Sequence, residues 1–259
     1  MVSRGKGGGA EQRGGSRKLA VKLRTAKGRK IASTRWLQRQ LNDPYVEEAK
    51  RRGYRSRAAF KLVEIDDKYH FLRPGMNVLD LGAAPGGWSQ IAAERVGSAE
   101  GKGQVLAVDL SPIEQLPGVE VLTQDVSAGD APALIGAALK GGHADVVLSD
   151  MAAPATGHRS TDHVRVVALV EAALDLAEDV LKPGGTFVAK VFQGGAGGEL
   201  VSRLKRSFAK VQHVKPKASR PESPEVYVLA TGFVARNEKG PRRMAEALRR
   251  QDRVCRLVI

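Results

Sequence analysis

The chain has 259 residues, 42% hydrophobic and 27% charged, with a formal net charge of +14 and a pI near 10.1. That size and composition fit one sizeable globular domain with appendages, and a single cysteine, Cys255, excludes a disulfide framework or a Cys/His metal cluster. No uncharged apolar window of about 18 residues is present to span a membrane, and the start, MVSRGKGGGAEQRGGSRK, lacks the apolar stretch of a secretory signal, so a reducing cytoplasm is the expected compartment.

The charge is unevenly placed. Residues 1–60 carry 17 Lys and Arg against 4 Asp and Glu, a net +13; residues 236–259 carry 8 against 3, a net +5; the 61–235 stretch between them is net −4. Basic ends around a slightly acidic middle are the layout of a folded unit brought to a polyanion, nucleic acid first among them. The Arg-rich, acid-poor start also leaves a mitochondrial transit peptide open, although abundant Gly argues against one.

Residues 1–34, rich in Gly, Lys and Arg, are expected to form a disordered tail, because they have too little apolar surface to offset ordering entropy. Residues 35–235 form the expected folded domain, and 236–259 a basic C-terminal extension. From Ser33 apolar residues return at helical spacing, and Ser56 is the expected N-cap of a helix reaching about Tyr69, with Ala59, Phe60 and Val63 facing a core. A rhythm of apolar runs follows: 76–81, 104–110, 119–125, 144–150 and 185–192 read as buried strands, and the intervening 87–97, 130–140, 162–182 and 197–208 as helices. Near-continuous apolar strands alternating with helices predict a parallel sheet covered on both faces. Runs at 210–214 and 225–233, with no long helix between them, predict an antiparallel hairpin finishing one edge.

In open α/β sheets ligands sit beyond the carboxyl ends of the strands, at the switch point. The stretch DLGAAPGGWSQ, residues 80–90, lies there. Its glycines, Gly82, Gly86 and Gly87, match neither the G-x-G-x-x-G of a dinucleotide site nor the G-x-x-x-x-G-K-[ST] of a P-loop, and no lysine follows. A NAD-dependent oxidoreductase therefore fails on glycine spacing. Pro85 is expected to pre-set the helix start, Gly86 to let backbone approach a ligand, and Trp88 to supply a packing wall. Asp80 lies in the first strand, while Asp109, Asp125 and Asp150 close or follow the next three. Acids there suit ribose hydroxyls, an amino group of adenine and a positive charge, and S-adenosylmethionine fits that set.

Methylating a sugar hydroxyl needs a base for its proton. Lys190, at the end of TFVAK, is the candidate, and an amine with an ordinary pKa near 10.4 needs desolvation or a second cation to act so. Lys61, on the helix before the first strand, is the candidate second cation; Asp150 and Glu225 are expected to orient the amines.

SRAAFKL, VLDLGAAPGGWSQ, VLSDMAAP, FVAKVFQG and SRPESPEVYVLATGF, all in order between about Arg51 and Phe233, together resemble the FtsJ/RrmJ family of ribosomal RNA large-subunit methyltransferases. The resemblance implies a Rossmann-like S-adenosylmethionine-dependent methyltransferase fold: a seven-stranded, mostly parallel sheet with one antiparallel strand and helices on both faces. It implies S-adenosyl-L-methionine as cofactor and 2′-O-methylation of a uridine in the A-loop of the large-subunit RNA, late in ribosome assembly. It places a catalytic Lys-Asp-Lys-Glu tetrad on Lys61, Asp150, Lys190 and Glu225, with Lys190 the proton acceptor, and cofactor contacts on Gly86, Trp88, Asp109, Asp125 and Asp150. Glu222 is a rival to Glu225, but the family pattern S-x-E-V-Y falls on Ser223, Glu225 and Tyr227. The expected partner is the assembled large subunit, met by a monomer without metal or membrane. Methylation of transfer RNA or a messenger cap, and a non-catalytic RNA-binding assembly factor, stay open as alternatives.

Overall fold

The computed structural model describes residues 31–153, 156–194 and 198–234, and the chain divides into two compact units between Glu47 and Glu48. In the first unit, α1 (Ile31–Leu41) begins inside the tail expected to run to residue 34. Residues 1–30, and the C-terminal extension from 235, lie outside the described residues. Asp43 caps the start of α2 (Pro44–Arg52), its Oδ1 accepting from the Tyr45 backbone N–H at 3.1 Å.

The second unit is built on a seven-stranded sheet of order β3-β2-β1-β4-β5-β7-β6: β1 (Asn77–Leu81), β2 (Gln104–Asp109), β3 (Val119–Thr123), β4 (Ala144–Ser149), β5 (Leu181–Phe192), β6 (Phe208–Val214) and β7 (Glu225–Phe233). The first five pair in parallel, while β7 runs antiparallel to both β5 and β6 and is inserted between them. The expected edge hairpin is therefore present, with its second strand inside the sheet. β5 starts four residues before the expected 185, and its pairing with β4 shifts register between Ala144 and Val146.

Alternation along β1 sorts the core. Leu79 and Leu81 pack with α5 (Ala131–Ala138), α6 (Arg159–Val180) and α7 (Gly198–Ser207); Val78 packs on the other face with α3 (Ala59–Tyr69) and α4 (Gly87–Val96). All five β1 residues are buried, which is why a strand with two covered faces reads as continuous apolar sequence rather than alternation. Each fully buried Leu on these faces contributes about 1.5–3 kcal/mol.

Helix α3 presents Lys61 from a buried stripe of Ala59, Phe60, Leu62 and Ile65. It starts later than expected: Ala58, not Ser56, occupies the cap position. Ser56 instead lies against Gly87, where a Cβ would run into its hydroxyl oxygen. Arg95 on α4 pairs with Asp67 at 2.6 Å and Asp66 at 3.5 Å, clasping α3 to α4. Pro85 precedes the cap of α4 rather than opening the helix; the cap is Gly86, at φ 108°, and the first helical residue is Gly87.

Candidate active site

Strand order reverses between β1 and β4, and the carboxyl ends of those strands open the crevice in which α/β sheets hold ligands. Four side chains from four elements converge there. Lys190, on β5, donates from Nζ to the Asp150 carbonyl at 2.7 Å and lies 3.2 Å from Asp150 Oδ1. Lys61 Nζ donates to Glu225 Oε2 at 3.2 Å and stands 3.9 Å from Asp150 Oδ1. Lys190 Nζ and Glu225 Oε1 are 4.0 Å apart. Both lysines are 5% exposed, an uncommon setting for unpaired amines, and here each has a carboxylate.

The register explains the meeting. Lys190 pairs with Tyr227 and Phe192 with Glu225 across the antiparallel β5–β7 ladder, so Glu225 opens β7 beside the strand that carries Lys190. That strand runs two residues past Lys190 to Phe192, the end the sequence reading gave it. Glu222, the rival acid, stays exposed in the loop before β7.

Tyr227, which sequence reasoning used only as part of a motif, belongs to the same group. Its hydroxyl donates to Asp150 Oδ1 at 2.7 Å, and Lys61 Nζ lies 5.6 Å from its ring centre. Burial, with the negative charges of Asp150 and Glu225, pushes the Tyr227 hydroxyl pKa well above 10, so it remains a donor. Burial alone would raise the Asp150 carboxyl; the charges of Lys190 and Lys61 and the Tyr227 hydroxyl outweigh it and hold that carboxyl below the usual carboxylate range. Asp150 is thus an anion pinned from three sides.

Asp150 also lines a cavity of about 360 Å³, within the range of small-molecule sites. Its walls are Gly82 and Ala84 of the glycine corner, Asp109, Leu110 and Ser111 after β2, Gln124 to Ser127 after β3, and Met151, Leu169 and Ala172 on the β4 side. Of the residues expected at the cofactor, Asp109, Asp125 and Asp150 line this cavity and Gly86 and Trp88 do not. Trp88 is 3% exposed, packs on Tyr227 with ring centres 5.4 Å apart, and donates from Nε1 to the Ala58 carbonyl at 2.8 Å. It is a packing wall between the start of α3 and Tyr227. Gly82, at φ 70°, meets Met151 so closely that a Cβ would overlap its Sδ-bearing side chain at Cγ.

The lining is chemically mixed in an informative way. Asp109 Oδ2 accepts from Ala84 N–H at 2.9 Å and Oδ1 from Ser111 N–H at 2.8 Å; Asp125 Oδ1 accepts from Ser127 N–H at 2.8 Å. Each carboxylate oxygen keeps a further lone pair for a ligand hydroxyl or amine. Three acids, apolar Leu110, Val126 and Met151, and no lysine or arginine among the described residues of the wall fit a ligand with an apolar base, hydroxyl groups and positive charge. They do not fit a phosphate. S-adenosylmethionine has those features, so the residues present suit it.

Asp80, beneath the corner, is 1% exposed; its Oδ2 accepts from Ser89 Oγ at 2.6 Å, and its Oδ1 has no partner among the described residues. Burial, then the nearby charges of Asp150 and Asp109, push its carboxyl up to about 7. Neither the raised pKa of Asp80 nor the bond from Tyr227 to Asp150 had a signal in the sequence beyond an acid and an aromatic at strand positions.

The FtsJ-like methyltransferase family model matches residues 54–233. "Ribosomal RNA large subunit methyltransferase E" of Paramagnetospirillum magneticum is 58% identical over 238 residues, covering 91% of this chain and 97% of that protein. Its Bradyrhizobium diazoefficiens namesake is 62% identical over 216 residues, covering 83% and 94%. Among solved structures, a Plasmodium falciparum protein described as a ribosomal RNA methyltransferase superposes with a TM-score of 0.63 at 29% identity, over 71% of this chain and 100% of that one.

Proposed function

The chain belongs to the FtsJ-like methyltransferase family, and from that premise we propose that it methylates large-subunit ribosomal RNA, at the 2′-hydroxyl of a uridine ribose in the A-loop. The assembled large subunit, late in its formation, is the proposed substrate. S-adenosyl-L-methionine, when bound, supplies a methyl group on a sulfonium centre, and transfer to oxygen leaves a neutral thioether.

One observation carries the reading: Asp150 is shared between the acidic cavity and a buried pair of lysines. A cofactor site and a proton-handling site therefore meet at one residue. Asp109, Asp125 and Asp150 would hold the cofactor. Lys190 is the proposed base, because its Nζ is fixed by the carbonyl and the carboxylate of Asp150 at the rim; it takes the hydroxyl proton while the oxygen bonds to carbon. Lys61, held by Glu225 at 3.2 Å, places positive charge where negative charge builds on the attacking oxygen. Tyr227 keeps Asp150 from rotating away.

The net +13 of residues 1–60 supports a further part of the proposal, that the N-terminal stretch adds sequence-independent attraction to phosphate. Deleting residues 1–34 should then flatten the salt dependence of RNA affinity; an unchanged slope would remove that part.

Large subunits, transfer RNA and capped messenger RNA from cells lacking the gene, each incubated with purified protein and labelled methyl donor, test the main reading. Label is expected on one A-loop uridine, as a linkage resistant to alkali. Label confined to transfer RNA or a messenger cap, or an A-loop already methylated in those cells, would overturn the target.

A further inference from the structure

Four residues of the segment 53–58, Gly53, Arg55, Ser56 and Ala58, touch the glycine corner or the helix that follows it. The Gln90 side chain bridges it, donating from Nε2 to the Gly53 carbonyl at 3.0 Å and accepting the Arg55 N–H at 2.8 Å. Ser56 fills the space a Cβ at Gly87 would need, and the Ala58 carbonyl takes the Trp88 indole N–H. Three residues later the same run delivers Lys61.

Arg55 does something different from its neighbours. Its guanidinium donates to three backbone carbonyls on two separate stretches: from Nη1 to Pro85 at 3.1 Å and Glu114 at 2.7 Å, and from Nη2 to Gln115 at 2.8 Å. Pro85 follows Ala84, which lines the cavity on one side. Glu114 and Gln115 belong to the loop that starts with Leu110 and Ser111, which line it on the other. Leu116 of that loop packs so close to Gly86 that a Cβ there would stand 2.6 Å from Leu116 Cδ1 and 3.3 Å from Arg55 Cδ. The Glu114 carboxylate adds little to the arrangement, being 3.9 Å from Nη2 and 94% exposed. The binding is to peptide carbonyls, and it needs the planar, multi-donor fork that only arginine offers.

We infer that Arg55 is a positioning residue for the cofactor: by tying the glycine corner to the loop after β2, it holds the two sides of the cavity mouth at their binding separation. It does not line the cavity and so acts through Ala84, Leu110 and Ser111. The inference rests on the cofactor reading of that cavity and concerns a residue outside it. A cavity whose mouth is held in this way binds its ligand without first ordering the nine-residue loop 110–118, which is the gain from preorganisation.

The test is calorimetric titration of S-adenosylmethionine and of its demethylated product, S-adenosylhomocysteine, into full-length wild type, Arg55→Ala and Arg55→Lys, with no RNA present. Both variants should bind about tenfold or more weakly, since two or three charge-assisted hydrogen bonds are lost and lysine cannot restore the fork. In steady-state assays KM for the methyl donor should rise in proportion, while kcat at saturating donor stays within about a factor of two, the pattern of lost ground-state binding. Arg55→Lys keeps the charge and the aliphatic stem, so it remains informative if Arg55→Ala folds poorly. Wild-type affinity in Arg55→Lys would overturn the clamp, because charge alone would then suffice; so would unchanged affinity in Arg55→Ala, or a loss confined to kcat. Absence of binding by the wild type would overturn the cofactor reading itself, and the clamp with it, whereas wild-type binding matched by both variants would overturn the clamp alone.

Discussion

Two charged clusters in the second unit look alike in composition and differ in what they can do. On the α6–α7 side, Arg203 meets Asp175 at 2.6 Å and both oxygens of Glu178, at 2.8 and 3.2 Å, while Ser207 Oγ donates to Glu178 at 2.7 Å. Burial works against Arg203's charge, but hydrogen bonds to Glu178 and Asp175 outweigh it and hold the guanidinium above its ordinary range. Its Nε and Nη2 donors form a fork that ties two helices together. At the crevice, Lys61 and Lys190 are point charges set 3.2 to 4.0 Å from Asp150 and Glu225, at the rim of a cavity. Density of charge is common to both; only the second leaves an amine able to exchange a proton with something that enters. A buried ion cluster is therefore no sign of a site until its geometry has been read.

The largest expected effect separates the two by rate. Lys190→Ala should lower methyl transfer by about 10²-fold or more, with S-adenosylmethionine affinity kept within a few-fold by calorimetry; full turnover would show that Lys190 is not the base. Arg203→Met should do the reverse. It leaves Glu178, 5% exposed, without its cation, and should cost about 2 kcal/mol in urea unfolding, less than for a fully buried pair because Arg203 is partly exposed; turnover per folded molecule should not change.

Asp80 sharpens the contrast as a buried acid lacking an ion-pair partner among the described residues. Its carboxyl pKa, raised to about 7 in the folded state, means the folded chain binds a proton that the unfolded chain has released above about pH 4. Stability should fall as pH rises from the unfolded value towards 7 and then level off. Asp80→Asn keeps the Ser89 contact and removes the titration, so its advantage over wild type should grow by about 2 kcal/mol between pH 5.5 and pH 8. An advantage independent of pH would show that Asp80 is ionised throughout.

Tyr227→Phe is the smallest of these changes. It keeps the packing on Trp88 and removes one hydrogen bond to Asp150, worth about 1 kcal/mol. Asp150's depressed pKa gives stability that is present above its unfolded value and lost as pH falls through the folded one. The Phe variant should therefore begin acid unfolding at a higher pH than wild type, seen by circular dichroism.

Much of this was legible before any coordinates. The apolar runs at 76–81, 104–110 and 144–150 became β1, β2 and β4 within a residue or two, because a strand buried on both faces has no choice of pattern. The helix ends were less legible. Ser56 carries a good capping side chain, yet the close approach of Gly87 takes it for packing, and α3 starts at Ala59. Gly86 and Trp88 sit in the most conspicuous motif of the chain but are not among the residues lining the cavity, whereas Arg55, in no glycine motif, bonds carbonyls of both the glycine corner and the loop after β2.

The amino-acid sequence by itself determined which segments are strands and helices, that the sheet is mostly parallel, that the glycine corner suits no phosphate, and, through five ordered motifs, which four side chains to watch. Periodicity, glycine spacing and residue chemistry are local properties, written along the chain. Only the tertiary structure decided that Lys61 and Glu225, 164 positions apart, stand 3.2 Å from one another. That depends on β7 entering the sheet between β5 and β6 in a register that puts Tyr227 beside Lys190. Strand order and register are set by the packing of the whole domain, so no local pattern records the distances they create.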